Sequence, residues 1–259
     1  VIWKCCRNWG IRWRDAKGGI RKNCGKGREK GMGKGIFITG TGTDVGKTYV
    51  SALLVKVLRE AGAKSAYYKA AVSGNCKDGN GKLIPGDAVW VKEHAGISQP
   101  LDTMIPYIYG QAVSPHLASR AEGNPVELPT VREGYHQLCR EYDYITMEGS
   151  GGILCPLCCE NGKELWLEDV IKDLGLSCLV VADAGLGTIN STILTLEYLR
   201  MKHIPARGVV VNHFHPDNEM EQDNIKIIEK RGDVPVLACI QEGARGIGIS
   251  PEKLMAYYQ

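Results

Sequence analysis

The chain has 259 residues, 44% hydrophobic and 24% charged, which suits one large α/β domain or two small ones and is too apolar for a disordered chain. No apolar run approaches the ~18 residues that span a bilayer, and no basic-then-apolar signal pattern is visible. The net charge of +3 averages two unlike parts: residues 1–34 hold eleven Lys and Arg against two acids, a surplus of nine, leaving −6 for the rest and no argument for nucleic-acid binding there.

The basic segment comes first. It carries three of the five tryptophans and no steady period. Interleaved Arg and Trp would suit a nucleic-acid or membrane-surface arm. Cys5, Cys6 and Cys24 do not form paired C-x-x-C knuckles. Arg28-Glu29-Lys30 can be written entirely in purine codons, as a ribosome-binding site is, and Met32 follows. The preferred reading is a translated leader, residues 1–34 being a non-native or disordered tail. A single domain is expected over residues 35–259, with Met32 as the true start.

From Gly35 strands and helices alternate. "GIFITG" reads as a buried strand running into glycine. "KTYVSALLVKVLREAG" has apolar residues at helical spacing and a glycine stop. "SAYYKAAVSG" is a strand passing into a loop, "NCKDGNGKLIPG" a loop, and "DAVWVKEHAG" a short helix. "VREGYHQLCREY" is helical and leads into the strand "DYITMEGSGG". "LWLEDVIKDLG" is a helix, "SCLVVADAG" a strand, "TINSTILTLEYLRMKH" a helix, "ARGVVVNHF" a strand, "NEMEQDNIKIIEKRG" a helix and "PVLACI" a last strand. Several strands are continuous apolar runs, which implies burial on both faces. The expected fold is a three-layer α/β architecture with a mainly parallel central sheet and helices on both sides. Such sheets bind ligands beyond the carboxyl ends of their strands. Gly40–Thr48, Lys69–Gly74, Glu148–Gly152, Asp183–Asn190 and Asn212 all follow expected strands.

"GTGTDVGKT", Gly40 to Thr48, ends as a phosphate-binding loop does, although five residues rather than four separate its outer glycines. A strand, a glycine-rich turn and a helix opening at Gly46-Lys47-Thr48 fall in register. Backbone N–H groups of such a turn, and the helix N-terminus, attract phosphate. Lys47 would reach the terminal phosphates and the Thr48 hydroxyl would ligate Mg²⁺. Asp87, at a helix start, and Glu148, at a strand end, would add the hard oxygen ligands that Mg²⁺ prefers. Each also has a plainer explanation: Asp87 as a helix cap, Glu148 as a turn residue, Lys69 as a solvated strand end.

Taken together, "FITGTGTDVGKT", "YYKAAVSG", "GDA", "SPHLASRAEG", "MEGSGG", "GLGTINST" and "VVNHFHP" resemble the ATP-dependent dethiobiotin synthetase family. The resemblance covers nearly the whole body, and the family shares the longer loop spacing. It implies a P-loop-type fold and a cytoplasmic, homodimeric ligase that closes a ureido ring on 7,8-diaminopelargonate with CO₂ and ATP. The steps implied are a carbamate, then a carbamic–phosphoric anhydride, then ring closure, with no covalent nucleophile on the protein. Lys47 and Lys69 would flank the carbamate and γ-phosphate. Thr41, Gly42, Asp44, Val45, Gly46, Lys47, Thr48 and Tyr49 would hold ATP, with Asn212 reading the adenine edge. Thr48, Asp87 and Glu148 would hold Mg²⁺. Thr43, Ser73 and Gly151 would contact the diamine and carbamate, Thr43 and Ser73 as catalytic groups. Gly187, Thr188, Ile189 and Asn190 would bind the distal carboxylate from the partner subunit. The chain departs from the family's usual pattern at Gly42, where Asp is common, and at Ala70, where proline is common. It departs again at His213, where Asp is more usual, and at Gln241, where proline is common. The last two bear on nucleotide selectivity.

Other signals are weaker. The ten cysteines are scattered, several in core-like segments, so reduced thiols are expected. "CPLCC", Cys155 to Cys159, contains a C-x-x-C spacing without a second pair and is read as small loop thiols. His213 and His215 are read as loop histidines, and His116 either lines the substrate pocket or packs a helix start. Two alternatives stand. A cobyrinic acid diamide synthetase would need a glutaminase domain, and the chain ends soon after its last expected strand. A partition-type nucleotide switch carries an early loop lysine, which Gly40 to Val45 lacks, and a basic amphipathic helix for membrane or DNA.

Overall fold

The computed structural model describes residues 32–160 and 162–259. Of the expected tail, residues 1–34, residues 1–31 lie outside them. Six strands form one fully parallel sheet. In chain order they are β1 (Lys34–Gly40), β2 (Ser65–Lys69), β5 (Tyr144–Glu148), β8 (Cys178–Asp183), β9 (Ala206–Asn212) and β10 (Val236–Cys239). Their spatial order is β10-β9-β8-β1-β5-β2. Two short pairs lie outside it: β3 (Ala71–Val72) with β4 (Tyr107–Ile108), and the antiparallel β6 (Pro156–Glu160) with β7 (Lys163–Trp166).

The continuous apolar runs of the sequence resolve by the period of two into two cores. Ile36 and Ile38 of β1, with Leu179, Val181 and Val210, pack against Val50, Leu54 and Leu58 of α1 (Lys47–Glu60) and Leu254 of α8 (Pro251–Met255). Tyr67 on the same side meets Ala88 and Val91 of α2 (Gly86–Ala95). The intervening residues Phe37, Ala66, Tyr68, Val180 and Val209 point the other way. They bury against α4 (Leu128–Glu141), α5 (Leu167–Asp173), α6 (Thr188–Met201) and α7 (Glu219–Gly232). The expected three-layer fold is therefore present, since each run serves two helical layers at once.

Four details differ from the sequence reading. The segment from Leu165 begins as strand: β7 ends at Trp166 and α5 starts at Leu167, where Trp166 N donates to Asp169 Oδ2 at 2.9 Å. "CPLCC" is strand rather than loop, with Cys158 opposite Leu165 across the β6–β7 ladder. "SPHLASRAEG" contains α3 (Pro115–Ala121), and "SPEKLM" contains α8, capped by Ser250 Oγ accepting from Lys253 N at 3.3 Å. Among the described residues no helix is long and apolar enough to cross a membrane.

Candidate active site

Because the sheet is parallel, the carboxyl ends of β1, β2, β5, β8 and β9 lie along one edge, in the spatial order β9-β8-β1-β5-β2. Every strand end singled out in the sequence meets there. β1 passes at Gly40 into the phosphate loop, whose last glycine, Gly46, caps α1 in the left-handed region with φ 89°. A side chain is excluded at Gly46, since a Cβ would lie 2.1 Å from Asn212 Nδ2. Asp44 also takes a positive φ, 62°. Inside the loop, Lys47 Nζ donates to the Gly42 carbonyl at 2.7 Å, and Thr41 N donates to the Val181 carbonyl at 3.0 Å.

The centre of the site follows from register. Lys69, the last residue of β2, sits directly opposite Glu148, the last residue of β5. Opposed residues share a face, so the two side chains meet: Lys69 Nζ lies 2.8 Å from Glu148 Oε1 and 2.6 Å from Asp87 Oδ2 in the first turn of α2. Thr48 Oγ1 donates to Glu148 Oε1 at 2.8 Å. Tyr67, two residues before Lys69 and on the same face, donates to Glu148 Oε2 at 3.0 Å. The Lys69 and Glu148 side chains are 7% and 0% exposed, so this pair is desolvated and each depends on the other.

The two lysines differ electrostatically. Burial, aided by the like charge of Lys69, pushes the Lys47 ammonium down to about 8 against the pull of Glu148. Burial would lower Lys69 too, but Asp87 and Glu148 reverse that, so its pKa lies above the ordinary lysine value. Lys69 is thus a fixed cation, while Lys47 is a cation held near phosphate-binding backbone. Cys155 lies beside them, and burial pushes its thiol up to about 11, so it is held protonated. It is no nucleophile at neutral pH.

The predicted metal ligands Thr48, Asp87 and Glu148 are brought into one hydrogen-bonded cluster through Lys69. One hydroxyl and two carboxylates form a hard-oxygen donor set, while no group of three His, Cys, Asp or Glu converges anywhere among the described residues, this site included. The glycine turn after β5 closes over the loop. A Cβ at Gly152 would meet the Gly40 carbonyl at 3.5 Å, and one at Gly151 would meet Thr43 Oγ1 at 3.9 Å. Ser73 Oγ donates to the Val113 carbonyl at 2.5 Å. Tyr49 donates to the Ala244 carbonyl and packs on Trp90 at 5.6 Å between ring centroids, tying α1 to the C-terminal loop.

Two predicted groups stand apart from this cluster. Gly187, Thr188, Ile189 and Asn190 form the start of α6 beyond β8, and their hydrogen bonds among the described residues stay within that turn and helix. His116 begins α3, where its Nδ1 is buried without a partner among the described residues. Asn212 ends β9, and its Nδ2 donates to the Val45 carbonyl at 3.1 Å, bracing the phosphate loop. His213 and His215 do not act as free loop groups: His213 pairs with Asp183 at 2.8 Å and His215 with Glu221 at 3.0 Å.

Sequence reasoning missed Tyr67 and gave Asp183 no role. A tyrosine inside a strand reads as core, and its partner Glu148 is 81 residues away in the chain. Asp183 carried a readable signal, an acid at the carboxyl end of an apolar strand.

Residues 34–245 match the family described as an AAA domain. The ATP-dependent dethiobiotin synthetase BioD of Brachyspira hyodysenteriae is 44% identical, over 82% of this chain and 94% of that protein. The protein of that name from Clostridium botulinum strain 657 is 44% identical over 88% of this chain and 99% of its own length. Among solved structures, the MinC:MinD cell division protein complex of Aquifex aeolicus matches with a TM-score of 0.51 at 17% identity, covering 82% of this chain and 83% of that one, a likeness of fold alone. Identity above 40% along nearly the full length of such relatives says more than the fold does: the chain belongs to the ATP-dependent dethiobiotin synthetase family and is an ATP-dependent ligase.

Proposed function

We propose that the protein uses ATP to carboxylate 7,8-diaminopelargonate with CO₂ and close its ureido ring. One amine adds to CO₂ and loses a proton, giving a carbamate. A carbamate oxygen attacks the γ-phosphorus and ADP leaves, forming the mixed anhydride. The second amine then attacks the carbamoyl carbon, and the C–O bond breaks to release phosphate. The observation that carries this reading is the meeting of buried Lys47, Lys69 and Glu148 with half-buried Thr48 at one sheet edge, beside a phosphate loop and, among the described residues there, without a nucleophile–base pair. Phosphoryl transfer asks a protein chiefly for positioning and charge stabilisation, which this arrangement supplies.

In this reading Lys47 and the backbone of Thr41 to Thr48 hold the triphosphate. Lys69, kept cationic by its two carboxylates, faces the carbamate and the transferring phosphoryl group. Thr48, Asp87 and Glu148 would hold Mg²⁺, which when bound offsets charge on the phosphates. Thr43, Ser73 and Gly151 line the space over the loop for the diamine and carbamate. The start of α6 takes the distal carboxylate from a neighbouring subunit, as a helix N-terminus suits an anion. Leu186, Leu194 and Met201, 91%, 61% and 64% exposed, lie with Asn190 along one side of this helix and its leading turn, which favours a homodimer. We place the enzyme in the cytoplasm, with no nucleic-acid or membrane partner, and its working domain at residues 35–259. The test is ADP release as a function of both diamine and bicarbonate. The proposal expects release only when both are present; equal release when either is omitted would sink it.

A further inference from the structure

The carboxyl end of β9 carries a chain of contacts that phosphate transfer does not use. Asp183 and Asn212 are register partners across β8 and β9. His213 follows, held in the left-handed region at φ 55°. Its Nδ1 lies 2.8 Å from Asp183 Oδ2, and its Nε2 lies 3.2 Å from Asn212 Nδ2. The other Asp183 oxygen accepts from Gly185 N at 2.9 Å.

The proton positions follow from what each group can donate. Asp183 is an acceptor only: burial would raise its carboxyl, but the hydrogen bonds from His213 and Gly185 hold it below the usual carboxylate range. In the uncharged form of the ring, His213 then carries its proton on Nδ1, and Nε2 is an acceptor. Asn212 Nδ2 has two N–H groups. One goes to the Val45 carbonyl at 3.1 Å and the other to His213 Nε2. Turning the amide over would set Oδ1 against two acceptors, so the flip is disfavoured. Oδ1 remains. It has no hydrogen bond among the described residues and is not one of their fully buried unpartnered atoms, so it holds part of the little surface that Asn212, 2% exposed, presents. Gly46 packs against the amide nitrogen, which places this fixed acceptor beside the phosphate loop.

We propose that Asp183 and His213 are positioning residues that set nucleotide selectivity by locking Asn212 with its carbonyl oxygen outward. A base presenting an exocyclic amine donor is then accepted, and one presenting a keto oxygen at the same place is rejected. This rests on the reading that Asn212 faces the base. The histidine that departs from the family's usual pattern thus strengthens discrimination.

The test compares ATP with inosine triphosphate, which differs at the six-position of the purine, in kcat/KM for diamine-dependent turnover. Asn212→Ala, His213→Phe and Asp183→Asn are each measured, with His213→Phe also placed on Asn212→Ala. The expectation is a strong preference for ATP in the parent. His213→Phe and Asp183→Asn should each reduce that preference by about tenfold, through KM with kcat for ATP nearly kept. On the Asn212→Ala background, His213→Phe should change the ratio no further. If Asn212→Ala lowers the ratio while neither His213→Phe nor Asp183→Asn does, the lock is refuted. If Asn212→Ala leaves the ratio unchanged, Asn212 does not face the base, and the proposal fails together with the reading beneath it. A uniform loss for both nucleotides, with the ratio kept, would mean a structural role and overturn the proposal.

Discussion

Lys69→Ala should damage the fold as well as the chemistry, and Lys47→Ala should not. Lys69 is the ammonium partner of Glu148, whose side chain is 0% exposed, and of Asp87, whose side chain is 33% exposed. Removing one member of a buried ion pair leaves the other uncompensated, at about 3–5 kcal/mol. Glu148 keeps the Thr48 and Tyr67 hydroxyls and Asp87 regains water, so the lower end, about 3 kcal/mol, is expected. In a domain of this size that is a fall of roughly 6–12 °C in Tm. Lys47 makes its hydrogen bond to the Gly42 carbonyl, so Lys47→Ala should lose about 1 kcal/mol or less. Both variants should lose turnover by about 10²-fold or more. The assay is thermal unfolding of Lys69→Ala, Glu148→Gln and the double variant, alongside steady-state turnover. Neutralising Glu148 should restore part of what Lys69→Ala loses, a coupling of about 1–3 kcal/mol. A Lys69→Ala protein that melts with the parent, or losses that simply add in the double variant, would refute the reasoning.

Tyr67→Phe removes a donor from a buried carboxylate and should lower stability by about 1–3 kcal/mol; magnesium titrations of turnover should show the apparent Mg²⁺ requirement rising several-fold. Gly46→Ala places a Cβ 2.1 Å from Asn212 Nδ2 at φ 89°, so the KM for ATP should rise about tenfold or more, and an unchanged KM would mean the loop is not packed this way. Asn190→Ala should raise the KM for the diamine and spare that for ATP. Mixing inactive Lys47→Ala and Asn190→Asp proteins under subunit exchange should restore up to about half the activity per heterodimer, whereas no recovery would mean each site lies within one chain. Deleting residues 1–31 should leave Tm and turnover unchanged; a large loss of either would make that segment part of the working protein.

The phosphate loop was legible because strand, turn and helix signals are contiguous from Ile36 to Glu60. Lys69 and Glu148 were legible as strand ends, since a polar residue closing an apolar run at a sheet edge has few other uses. Their pairing was not, because it depends on the register of β2 and β5, set by packing over 79 residues of chain. The β6–β7 hairpin escaped notice because Cys158, Cys159 and Glu160 lack a strong strand pattern, and the pair takes its order from α3 and α5 beside it. α8 was missed, although Ser250-Pro251, an N-cap followed by proline at the first helical position, carried a readable signal. Asp183 and His213 are 30 residues apart, and only the β8–β9 register joins them.

The central claim is that a carbamate oxygen becomes bonded to the γ-phosphorus. It is tested by running short single-turnover reactions in ordinary water with ¹⁸O-labelled bicarbonate and measuring the label in the released phosphate. If the proposed anhydride breaks at its C–O bond, each phosphate should carry one oxygen from CO₂. Phosphate free of label, formed in step with dethiobiotin while the remaining bicarbonate stays labelled, would contradict the account.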